Sequence, residues 1–87
     1  MPLMKEIRFL RTGVKCPPFK HGNPIGIVLH RTEAGYSHLL TSFQSGPKVS
    51  HFLIGKQDGQ AVRFVDTTYK AAHAGPGAND LYIGIEL

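Results

Sequence analysis

The stretch AAHAGPGANDLYIGIEL, residues 71–87, decides how this chain reads, because a glycine-rich turn there feeds a short apolar strand that ends on a carboxylate. Residues 81–87 are β-prone and largely apolar, the pattern of a strand covered on both faces. A carboxylate inside such a strand carries a desolvation cost unless a cation or a proton meets it. That singles out Glu86. The stretch GIVLH, residues 26–30, repeats the design and ends on His30, a side chain able to bind metal or move protons. Two buried strands that each deliver one such group imply one site.

The rest of the composition sets bounds on that site. A length of 87 residues allows one small domain and excludes a second. The 41% hydrophobic content, 10 glycines and 6 prolines describe a globular, turn-rich chain, and the absence of a long apolar run excludes a transmembrane helix. The first residues, MPLMKEIRFLRTG, lack the sustained apolar core of a secretory signal, so the expected location is cytoplasmic, with action on a cell wall after release. Cys16 is the one cysteine and stands outside any zinc-finger spacing, which makes it a structural or incidental thiol. Lys and Arg number 10 against 6 Asp and Glu, a net charge of +4 that favours an anionic partner. The basic residues are scattered and no aromatic-basic motif accompanies them, so no nucleic-acid partner is expected; an acidic polymer such as a cell wall fits the charge.

Upstream of the two key strands, residues 5–10 read as a short first strand or edge segment with Ile7 and Phe9 on one face. Residues 12–24, with CPPF and HGNP, form a loop through fixed φ and missing donors, and His21 within it reads as solvated. Thr32 can cap a helix whose stripe is Tyr36, Leu39, Leu40 and Phe43, stopped by Ser45-Gly46-Pro47; Gly35 weakens its first turn, and His38 faces outward. Residues 49–56 and 61–65 then form a hairpin about Asp58-Gly59. His51 shares a face with Leu53, as a hydrogen-bonded core residue or as a metal ligand. Residues 66–72 could add a helical turn, and residues 73–77 a loop in which glycine serves a close ligand approach or a plain tight turn.

At this point the motifs carry a resemblance. GIVLHRTEA, VSHFLIGKQDGQAVRFVD, AAHAG and NDLYIGIEL resemble, in order and spacing, the successive motifs of zinc-dependent N-acetylmuramoyl-L-alanine amidases, which share a fold with the peptidoglycan-recognition proteins. The resemblance covers residues 25–87. It implies an α/β fold, a mixed central β-sheet with flanking helices that is incomplete at the C-terminus. Residues 1–24 would be an N-terminal edge segment and loop, and residues 25–87 the N-terminal portion of an amidase domain.

The resemblance also implies a chemistry. His30 corresponds to the family's first zinc ligand and Glu86 to the glutamate of its IGIE motif, assigned as general base or transition-state stabiliser. Zinc takes neutral imidazole nitrogen and lowers the pKa of a bound water toward about 7, and a nearby carboxylate can accept that water's proton. The implied reaction is hydrolysis of the amide joining muramic acid to L-alanine, in peptidoglycan or its fragments. Ser50 stands where some members carry a catalytic tyrosine, a loss that agrees with the use of Glu86. His51 is taken as a substrate contact in the same cleft. His73 matches the histidine of the family's WHAG motif, with Ala72 in place of tryptophan, and Asn79 the asparagine before the IGIE strand; each has either a substrate-binding or a loop-structuring role.

The family continues beyond this motif to a second zinc histidine and a third ligand, Asp or Cys, which this sequence does not contain. His30 alone would bind zinc weakly. The expectation is therefore an amidase portion that needs a C-terminal remainder or a complementing chain for activity. The alternative is a non-catalytic peptidoglycan-binding module.

Overall fold

Among the described residues the apolar runs become five strands, β1 (Arg8–Phe9), β2 (Gly26–His30), β3 (Phe52–Ile54), β4 (Ala61–Arg63) and β5 (Tyr82–Glu86), with two helices, α1 (Tyr36–Ser45) and α2 (Pro76–Asn79). This computed structural model describes residues 7–19, 22–31, 34–57 and 60–87. The strands form one sheet in the order β1-β4-β3-β5-β2. Only β3 and β4 pair antiparallel, as a hairpin; β1 with β4, β3 with β5 and β5 with β2 pair parallel. The expected mixed α/β sheet is present, and the glutamate-bearing strand runs between the histidine-bearing strand and the hairpin.

Residues in register share a face of the sheet. Leu53 pairs with Val62 on one side and Glu86 on the other, and Glu86 pairs with His30, so these four lie on one face. Helix α1 packs against that face. Its stripe delivers Phe43 to a core of Val49, Leu53, Val62, Phe64, Val65 and Ala71, with Tyr36, Leu39 and Leu40 partly buried beside it. Phe43 meets Phe64 edge-on, with ring centroids 5.5 Å apart. The helix starts at Tyr36, one residue after Gly35, which supplies no side-chain cap. It stops at Gly46, whose φ of 91° suits glycine and whose N–H donates to the carbonyl of Ser42.

The opposite face is largely apolar and is open along β2. Ile27 and Leu29 are 61% and 64% exposed, and Phe9 and Ile54 are exposed beside them on the same side. Strands whose residues are apolar on both faces normally carry cover on both. The arginine of β4 lies over the exposed Phe9 ring, 5.1 Å from its centroid.

Several expectations are corrected. Among the described residues the first strand spans Arg8–Phe9, and the hairpin strands are three residues each; ahead of them the Val49 N–H donates to the Ala72 carbonyl instead of a neighbouring strand. Residues 66–72 form no helix but one hydrogen-bonded turn, in which the Tyr69 N–H donates to the Asp66 carbonyl at 3.0 Å while the N–H and hydroxyl of Thr68 both donate to the Asp66 carboxylate. Tyr69 also bridges to Pro18. The loop expected at residues 73–77 gives way at Pro76 to α2, where proline suits a helix start. His21, the Thr32 cap and the Asp58-Gly59 turn lie outside the described residues, and His38 is exposed as expected.

The two faces predict different tolerance. Leu53→Ala, in the core, is expected to cost about 2–5 kcal/mol, whereas Leu29→Ser, on the open face, stays within about 0.5 kcal/mol. Urea unfolding of the two variants measures both. Equal losses would mean that the outer face is packed.

Candidate active site at the ends of two parallel strands

The register of β2 and β5 runs without offset from Gly26 opposite Tyr82 to His30 opposite Glu86. The Leu87 N–H continues it by donating to the His30 carbonyl, 2.9 Å away. Parallel strands with matched ends place both side chains on one face at the carboxyl end of the sheet, where open α/β sheets present their ligand sites.

Glu86 is 9% exposed, and among the described residues its Oε1 is buried with no hydrogen-bond partner. Burial pushes its carboxyl pKa up, and the neighbouring His30 imidazole pulls it partly back. A carboxyl whose buried Oε1 has no partner among the described residues is poised to accept a proton there.

His73 reaches the pair from the loop ahead of α2. Asn79 shapes that loop, its Oδ1 accepting from the N–H groups of His73 and Ala74 at 2.9 and 2.8 Å. The loop-structuring role is therefore what these contacts describe. The His73 ring lies flat against β5 where the strand has no side chain: a Cβ added to Gly84 would sit 2.5 Å from His73 Cγ. Its Nε2–H donates to the Tyr82 carbonyl at 3.0 Å, and its Nδ1 stands 3.0 Å from His30 Nε2. Gly84 makes room for the His73 ring, and its signal lies in the sequence. A glycine inside an apolar strand signals close approach by another group.

His51 belongs elsewhere. It is 0% exposed, its Nδ1 accepts from the Gly84 N–H at 3.0 Å, and its Nε2–H donates to the Tyr69 carbonyl at 2.6 Å. Phe19 stacks on its ring, 5.9 Å between centroids. Both ring nitrogens of His51 are thus bonded to main chain, the arrangement of a hydrogen-bonded core histidine. Ser50 is likewise buried, with its hydroxyl donating to the Phe52 carbonyl at 2.7 Å.

A groove of about 1240 Å³ opens beside the strand ends, between α1 and the hairpin. Arg31 and Leu87, the residues after His30 and Glu86, line it together with Tyr36, Leu39, Lys56 and Gln57. Its two cations suit an anionic ligand. For a metal ion the cluster offers imidazole nitrogen from His30 and an unpaired carboxylate oxygen from Glu86, donors that zinc accepts. Among the described residues no group of three or more His, Cys, Asp or Glu converges as a full ligand set. The residues present fit part of a metal site.

Burial lowers the pKa of His51 and of His73 from the ordinary 6.5, helped in each case by a neighbouring histidine. The unfolded chain then binds more protons than the folded one in the window just below 6.5. Stability is full above that pH and is lost as pH falls through it toward the lowered folded values. Thermal unfolding between pH 8 and 5 is expected to show a falling midpoint. A midpoint that rises as pH drops through this window would mean that these two rings are protonated in the fold.

No curated protein sequence matches the chain at a significant level. The family model described as N-acetylmuramoyl-L-alanine amidase matches residues 20–87, a span that takes in β2, the hairpin, the His73 loop and β5. No helix among the described residues is long and apolar enough to cross a membrane. With a match over most of its length, the chain belongs to the N-acetylmuramoyl-L-alanine amidase family.

Proposed function

We propose that the chain forms part of a zinc-dependent amidase that hydrolyses the amide bond between N-acetylmuramic acid and L-alanine in peptidoglycan or its fragments. The observation that carries this reading is the buried, unpartnered Oε1 of Glu86, directly across the sheet from His30. An unsatisfied buried carboxylate is costly. A surface used only for binding has no need of one, whereas a hydrolytic site does.

In this reading His30 is a protein ligand to zinc. Bound there, zinc supplies Lewis acidity toward water and the amide carbonyl. Glu86 accepts the proton of the attacking water at Oε1 and returns it to the leaving amine of L-alanine. Its raised pKa suits both halves of that exchange, since a carboxyl poised nearer neutrality gives the proton up as readily as it takes it. The groove beside the strand ends, with Arg31 and Lys56 in its walls, would receive the anionic muropeptide.

Two features point to a further polypeptide segment as part of the working enzyme. A hydrolytic zinc needs about three protein ligands, and the described residues bring no such group together. The sheet also leaves one apolar face open along Ile27 and Leu29. A segment that covers that face and carries the remaining donors answers both.

The test measures zinc content and release of L-alanine-headed peptide from a muropeptide, for the chain alone and joined to a segment that supplies two further ligands. The chain alone is expected to be inactive and the completed domain active. In that domain Glu86→Gln retains zinc and loses roughly a hundredfold or more of the hydrolysis, while His30→Ala loses the metal. Tight stoichiometric zinc and full turnover by the chain alone would contradict the ligand assignment.

A further inference from the structure

His73 touches the proposed metal ligand without being needed as a proton carrier or a substrate contact, and three observations define what it does there. Its Nε2 lies 3.0 Å from the Tyr82 carbonyl, which can only accept, so Nε2 carries the proton and Nδ1 presents a lone pair. That lone pair faces His30 Nε2 at 3.0 Å. The ring has no freedom to leave, because it fills the space opened by Gly84 and its loop is fastened by Asn79 Oδ1.

The ring geometry separates two arrangements that share this contact. A ring nitrogen stands roughly 1.2 Å from its centroid, so a head-on N–H···N hydrogen bond of this length puts the centroids about 5.4 Å apart. Two nitrogens this close that converged instead on one zinc at about 2.0–2.1 Å would bring the centroids to roughly 4.7 Å. The observed separation is 5.2 Å, with the rings 75° apart. The two nitrogens point at each other, not at a common third point.

We propose that His73 is the positioning residue of His30: it accepts a hydrogen bond from His30 Nε2–H, relays it to the Tyr82 carbonyl, and leaves His30 Nδ1 as the lone pair that meets the metal. The inference rests on the zinc reading of His30 given above. Metal-bound histidines are ordinarily held by a carboxylate or carbonyl at the second nitrogen. Here the carbonyl acts through an interposed imidazole. The consequence is a fixed tautomer and ring angle at His30 before any metal arrives.

The direct test is long-range ¹H–¹⁵N spectroscopy of the histidine rings in the metal-free chain at pH 8. The expected result is a slowly exchanging Nε2 proton on His30 whose bond partner is His73 Nδ1. His73→Ala should bring that proton into fast exchange, and His73→Asn, whose Oδ1 can stand near the lost Nδ1, should restore its protection. In the same series His73→Ala should weaken zinc binding by about 10–100-fold, with His73→Asn recovering most of it. A His30 that carries its proton on Nδ1, or whose Nε2 proton is unchanged by His73→Ala, would overturn the proposal. A protected Nε2 proton with no zinc effect at His30 would uphold the hydrogen-bond assignment and overturn the metal reading instead.

Discussion

The parallel register of β2 on β5 is the constraint on which the rest of the molecule depends. The side-chain period of a strand is two, so a slip of one residue would send His30 to the open face while Glu86 stayed on the covered one. Gly84 holds the register from the other side. Its carbonyl accepts the His51 N–H and its own N–H donates to His51 Nδ1, each at 3.0 Å. This reciprocal pair ties β5 to the start of the hairpin. His51 extends the tie to Tyr69 through its other nitrogen, and Phe19 closes over the ring. One buried histidine thus fastens the central strand to segments distant in sequence.

The site on that strand is a set of histidines and one carboxylate kept apart in role by their surroundings. His51 is enclosed and satisfied, which favours its neutral form. His73 is half-buried, bonded at both ring nitrogens, and held against a glycine. Glu86 is buried but unsatisfied at one oxygen. Desolvation acts on all three, yet only the carboxylate is left with an open valence for a ligand or a proton. Main-chain hydrogen bonds hold His51 and His73 in place, while Glu86 Oε1 has no partner among the described residues.

Much of this was legible in the chain. The strands at residues 26–30 and 82–86 follow from apolar runs with polar ends, and α1 from the Tyr36, Leu39, Leu40, Phe43 stripe. The adjacency of the histidine-bearing and glutamate-bearing strands was expected from their shared design. What the residues could not convey was tertiary. Asn79 and His73 stand six residues apart in successive motifs, and whether the amide faces a ligand or its own loop depends on the turn between them. His51 sits in a strand-like pattern, but a backbone carbonyl at Tyr69 claims its outer nitrogen from eighteen residues away. The first hairpin strand begins later than its pattern for the same kind of reason, since Val49 donates to the Ala72 carbonyl and not to a neighbouring strand. Local periodicity carries no information about such partners.

In the proposed site β2 and β5 present a single metal-binding imidazole beside Glu86, while His51 is held by main chain at both nitrogens. Zinc titration of the ¹⁵N-histidine-labelled chain, read at the ring nitrogens, addresses this arrangement most directly. The account predicts a saturable, weak response at His30 Nδ1, a smaller one at His73 through the bond between them, and none at His51. A primary response at His51, or no response at His30 as zinc rises to millimolar concentration, would contradict it.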